Sequence, residues 1–274
     1  MSDIESRRQL PHGVWAEGRS PDLEPLNLSD ATLRKAELSE ANLAGANLTR
    51  ATLNQANLYK ADLTNAILTH AQLVDACLIA ANLSGADLRH ANLIGADLKG
   101  ANLSRSDLTH ANLIGTELRG VQFREADLSQ ADLRRTDLSE AVLLKANFAQ
   151  ANLSRANLYE VEAICSHFYQ ADLQNATLMH AHFSGAYLFS ANLRAAVLLR
   201  SDFSWANLSK AILSQADLTG ANFRGVNLTG ADLTGANLTG ANFRGANLSR
   251  ANLTNATLLD TMLDQAILKG AVLP

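Results

Sequence analysis

Three histidines, His70, His90 and His110, recur at intervals of twenty residues. Brought into a column with neighbours about 4.8 Å apart, their imidazoles could share a divalent ion at nitrogen–metal distances of about 2.1 Å. No Cys or carboxylate recurs with them, and Arg50 and Arg89 lie close by in sequence. A column of solvated polar residues is therefore the competing reading. Cys77 and Cys165 are the only cysteines, they lie far apart, and neither has the companions a nucleophile or zinc site needs. Two unpaired thiols fit a reducing compartment. No Gly-rich phosphate loop, HExxH motif or Ser–His–Asp set is present. Neither an enzyme nor a bound cofactor is expected.

What positions these residues is a five-residue repeat, which runs without a slip from Leu28 to Leu273. Leu or Phe stands wherever the residue number ends in 3 or 8, Ala163 excepted, and a small residue, usually Ala, stands two places earlier. A spacing of two puts both on one side of an extended segment, and the intervening Asn or Asp on the other. Of the two remaining residues, one continues outward and one turns the chain. Glycine favours that corner: apart from Gly13 and Gly18, every glycine falls at the fifth position. Proline is confined to the flanks, at Pro11, Pro21, Pro25 and Pro274, as walls that must donate backbone hydrogen bonds require.

The number of walls per coil follows from a second spacing. Phe148 and Phe168 lie twenty residues apart, and so do Phe183, Phe203, Phe223 and Phe243 in succession. Four units then close one coil, with these phenylalanines in the core. The result is a square solenoid of about twelve coils, roughly 60 Å long. Residues 1–25 differ in character and read as an N-terminal cap, with a short helix over 3–10, ahead of a repeat domain at 26–274. The last coil has no helix to cover it, which suggests end-to-end pairing into a homodimer.

The A(D/N)LXX units resemble the pentapeptide repeat family over all but the first two dozen residues. That resemblance implies an all-β fold, a right-handed quadrilateral β-helix with the Leu or Phe of each wall stacked inside. It also implies a bacterial, specifically cyanobacterial, source. Some members regulate differentiation or signalling through protein contacts. Quinolone-resistance members imitate B-DNA in width and charge and shield DNA gyrase.

Sorted by wall, the net charge of −4 is uneven. The Leu38 wall carries Glu37, Glu40, Asp97, Glu117, Asp137, Glu140, Glu160, Asp217 and Asp260 against Lys60, Lys99, Arg119 and Arg200. The Leu33 wall, with Arg134, Arg135, Arg155 and Arg194, is mildly basic. No wall is basic enough for direct nucleic-acid binding. Between Val142 and Trp205 the outward positions turn apolar, at Leu144, Tyr159, Ile164, Met179, Leu199 and Trp205 among others. An apolar patch with a polar border suits a protein partner. A bulge at Ala163 that buries Ile164 is the alternative. No signal peptide or long apolar run is present, so a cytoplasmic interaction scaffold with no membrane contact is expected. A gyrase-binding DNA mimic is the second reading and a surface metal binder the third.

Overall fold

The computed structural model describes residues 26–274. The expected cap and helix lie outside the described residues. Every β-bridge is parallel and joins a residue to the one twenty places later, from Asn27–Asn47 to Asn252–Val272. The fold is a right-handed quadrilateral β-helix, and these bridges hold one register throughout. Its four walls are named here by their first core leucines: Leu28, Leu33, Leu38 and Leu43.

Counting backbone donors explains why each position holds its residue type. In the unit Ala231–Gly235, Asp232 N–H donates to the Ala211 carbonyl one coil back, and Leu233 N–H to Asn252 one coil ahead. Gly235 N–H reaches Thr254, and Ala236 N–H closes the corner onto the Leu233 carbonyl. One donor is left over, the N–H of Thr234. The Asp232 side chain takes it, at 3.0 Å. The Asn or Asp of the repeat thus points outward and also caps the backbone two residues on.

Each corner is a turn with its third residue at positive φ, the type II arrangement that favours Gly. Non-glycine corners adopt the same geometry, from Asp30 at 57° to Gln265 at 61°. The ladders on either side impose the left-handed conformation even where the residue does not prefer it. Glycine is needed for a further reason at Gly225. There the Trp205 ring lies where a Cβ would stand.

Inside, Ala and Leu or Phe are buried from Leu38 to Ala256. Phe183, Phe203, Phe223 and Phe243 form one column, with successive ring centroids 4.8, 5.3 and 5.0 Å apart and nearly parallel planes. Phe148 and Phe168 stack at 4.8 Å on the Leu28 wall. Where a buried Ser or Thr replaces the small Ala, its hydroxyl donates to the carbonyl three residues back, as Thr116 does to Leu113. Among the described residues no buried side-chain N or O lacks a partner.

Ala163 does not mark a bulge. Glu162 bridges to Val142 and His182 in register, Ala163 is fully buried, and Ile164 is 40% exposed. The wall stays regular. Beside the small Ala163, the Phe168 ring lies 5.3 Å from Phe183, in the next coil of Ala163's own column, while staying parallel to Phe148.

Candidate surface for a protein partner

The packed interior leaves only the outside of the rod for function. The histidine column forms, with His70–His90 at 4.8 Å and His90–His110 at 5.0 Å, but the rings lie face to face within 6°. Imidazole lone pairs lie in the ring plane, so parallel stacked rings do not converge on one ion. Among the described residues no group of His, Cys, Asp or Glu is placed to hold a metal. Cys77 and Cys165 are both free thiols.

The acidic Leu38 wall is partly neutralised by its own bases. Lys99 lies 3.4 Å from Asp97 and 3.3 Å from Glu117, and Arg119 lies 2.6 Å from Glu140. These carboxylates raise the pKa of both bases. Asp137 accepts from Ser139 N–H and from the Asn157 side chain, and Glu160 lies beside the Tyr159 phenol.

The six outward apolar residues expected from the sequence lie on two corners. Tyr159, Met179 and Leu199 stack, half-buried, on the corner between the Leu38 and Leu43 walls. The Tyr159 ring meets His180 edge-on at 5.9 Å, and Glu160 beside its phenol raises that group's pKa. Leu144, Ile164 and Trp205 occupy the next corner, between the Leu43 and Leu28 walls. Glu162 and His182 stand on the wall between the two groups, both exposed. Trp205, at 64% exposure, has its ring over Gly225 and carries the Arg224 guanidinium 5.9 Å from its centroid.

A third group includes Phe189, which the sequence also places among the outward apolar residues of this zone. On the Leu28 wall, His167 stacks on Tyr187 at 4.8 Å, and at the following corner Tyr169 stacks on Phe189 at 5.8 Å. Lys210 covers the far face of that second stack, 5.4 Å from the Phe189 centroid. Tyr187 is 50% and Tyr169 43% exposed. These residues adjoin Ile164 and Trp205, so one belt runs around that side of the rod. The signal was present in the sequence: Tyr169–Phe189 and His167–Tyr187 are both at twenty-residue spacing. His167 and Tyr187 were missed because they replace the consensus Asn or Asp rather than a Ser or Thr.

The same replacements change the backbone. The N–H groups of Ile164, Tyr169, Ser184 and Phe189 have no acceptor among the described residues, because Glu162, His167, His182 and Tyr187 stand where the Asn or Asp would be. On the same wall, Asp127 serves Ser129 at 2.8 Å and Asn207 serves Ser209 at 3.1 Å.

No helix among the described residues is long and apolar enough to cross a membrane. The family model described as pentapeptide repeats matches in eight copies, over residues 27–65, 46–85, 86–124, 122–159, 166–198, 201–240 and 231–270. No curated protein sequence matches the chain. Among solved structures, the chain is similar to HetL, a pentapeptide repeat protein involved in heterocyst differentiation regulation in Nostoc sp. strain PCC 7120. The identity is 36%, covering 74% of this chain and 90% of that one, with a TM-score of 0.41. It is also similar to QnrB1, a plasmid-mediated fluoroquinolone resistance protein, at 25% identity over 65% of this chain and 89% of that one, with a TM-score of 0.46. A third is a pentapeptide repeat protein of the Arabidopsis thaliana thylakoid lumen, at 31% identity over 36% of this chain and 66% of that one, with a TM-score of 0.29.

Proposed function

The chain belongs to the pentapeptide repeat family, and from that premise we propose that it is a non-enzymatic scaffold that binds another protein in the cytoplasm of a bacterial cell. One observation carries this reading: exposed aromatic and aliphatic side chains gather in the coils from Leu144 to Trp205, on a rod whose interior is filled by its own Leu, Ala and Phe. A packed interior offers no substrate pocket, whereas outward aromatics with a polar border are what protein interfaces use. Imitation of DNA draws less support, because Lys99 and Arg119 engage the acids that would have to stand in for phosphates.

The test is capture of partners from a source-cell lysate by the immobilised full-length chain. The parent is compared with Met179→Ser/Leu199→Ser and with Tyr187→Ser/Trp205→Ser. A captured species lost in either variant, with a melting curve near the parent's, supports the scaffold. Outward substitutions of this kind typically change stability by about 0.5 kcal/mol or less. Undiminished capture by both variants removes the belt from consideration.

A further inference from the structure

We infer that the Leu28 wall between Leu144 and Arg250 is a docking surface for an extended acidic segment of a partner protein. Carboxylates of that segment would meet the backbone donors that His167 and Tyr187 leave unserved. This rests on the scaffold reading and specifies the chemistry of its partner.

Three independent features of this face agree. The first is charge. Among the described residues, this wall and its two flanking corners carry no Asp or Glu from Leu144 to Arg250, but carry Lys145, Lys210, Arg224, Arg244 and Arg250. Arg244 is paired with Asp264, which lies beyond this stretch. The protein as a whole is negative, at −4, so attraction for an anion must be local to such a face.

The second is the geometry of the rings. His167–Tyr187 and Tyr169–Phe189 lie within 7° of parallel, so their faces turn toward each other along the rod. Lys210 covers Phe189, and the Trp205 ring is taken up by Gly225 and Arg224. A ring whose faces are occupied offers its edge, the positive part of its quadrupole. Such an edge, with the tyrosine hydroxyls as donors, suits a carboxylate. Nucleobases and sugars would need open ring faces.

The third is the backbone. Where the repeat keeps its Asp or Asn, that side chain takes this donor, as Asp127 does for Ser129 and Asp172 for Gln174. At Tyr169 and Phe189 the same N–H has no acceptor among the described residues. The same N–H is unserved at other units where the Asn or Asp is replaced, as at Thr69 after Ile67, but at Tyr169 and Phe189 the surrounding bases favour an incoming acceptor. A partner's Asp or Glu supplies that group.

The test uses fluorescence anisotropy with the full chain at about 50 mM salt, where charge pairing is least screened. The probes are a labelled peptide of alternating Glu and Ser, its Lys–Ser counterpart, and a labelled oligothymidylate. The key variant is His167→Asn/Tyr187→Asn. It restores the repeat's own acceptors, and its melting curve is expected to match or exceed the parent's. The Glu–Ser peptide is expected to bind the parent and to lose about tenfold or more in affinity with this variant. Arg135→Glu/Arg155→Glu, on another corner, should leave binding unchanged. No binding of the Glu–Ser peptide, equal binding by the Asn variant, or equal loss in the Arg135/Arg155 control would each overturn the inference. Oligothymidylate binding as tight as the peptide's would replace it with nucleic-acid recognition. If the belt captures a protein partner yet ignores the Glu–Ser peptide, the inference fails and the scaffold reading stands.

Discussion

The coils from Asp217 to Thr254 and those from Glu162 to Leu199 share one interior and differ outside. In the first group every second position is Asn or Asp, and each serves the N–H two residues on, from Asp217–Thr219 to Asn252–Thr254. In the second, only Asp172 and Asn192 do so. Yet the bridges keep their spacing of twenty and the core residues stay buried in both. Fold and surface are therefore separable in this solenoid. Inward residues and backbone ladders set the coil, and the outer positions are free to diverge at the cost of a local cap. Degeneration of the consensus here is confined to the outside of the coil.

If the interiors are equivalent, a core truncation should cost the same in either region. Phe183→Ala and Phe223→Ala each remove one ring of the same stacked column, and each should destabilise by about 3–5 kcal/mol. Amide exchange should quicken mainly in adjacent coils, since a solenoid passes strain only to its neighbours. A much smaller cost at Phe183 would show that the irregular coils are loosely packed and break the comparison.

The next effect concerns the corner where the regions meet. Gly225→Ala places a Cβ against the Trp205 ring, at a residue already held at φ +66°. It should destabilise more in the parent than in a Trp205→Ser background, and the coupling should fall in the range of about 0.5–3 kcal/mol found for touching residues. Equal costs in both backgrounds would mean that backbone strain alone matters, and that the tryptophan is not seated on Gly225.

Most of the architecture was legible in the sequence, because the core repeats in type as well as position. The phenylalanine column and the histidines gave the four-wall coil, and Ala163 alone left a choice between wall and bulge. The surface was less legible for a physical reason. An outward residue is unconstrained by packing, so its neighbours appear only once the coil is built. Tyr169 and Phe189 share a column at the fourth position, His167 and Tyr187 another at the second, and the two join only across the width of a wall. The role of Asn and Asp was hidden for a different reason. Polar residues pointing outward already explained themselves, and only an accounting of backbone donors exposes the N–H that each one serves.

That accounting predicts opposite effects of one chemical change in the two regions. Asn227→Ala removes the acceptor for Thr229 N–H, a 3.1 Å bond, and should destabilise by about 1 kcal/mol. Tyr187→Asn supplies an acceptor for Phe189 N–H and should stabilise, or at least leave stability unchanged. Chemical denaturation of both variants measures the pair. A loss in each case would mean that Tyr187 contributes to the fold through its stack on His167, and that this part of the belt is structural.

The smallest effect tests the cap itself where an aspartate provides it. Asp87, on the Leu28 wall, accepts from Arg89 N–H at 3.2 Å and pairs with the Arg89 guanidinium at 2.6 Å. The guanidinium hydrogen bonds first, and the backbone N–H after them, hold its carboxyl below the usual aspartate range, against the opposing pull of partial burial. A carboxyl depressed in the folded state stabilises fully above the ordinary aspartate pKa, and that contribution disappears as pH falls through the lowered value. Arg89→Ala should raise the Asp87 pKa part of the way back, because the N–H remains, and should narrow the acid window in which the chain is stable. Titration of the Asp87 carboxyl by NMR reads this directly. A return all the way to the ordinary value would show that the backbone donor contributes nothing to binding a carboxylate, and would weaken the case that a partner's carboxylates seek the same donor at Tyr169 and Phe189.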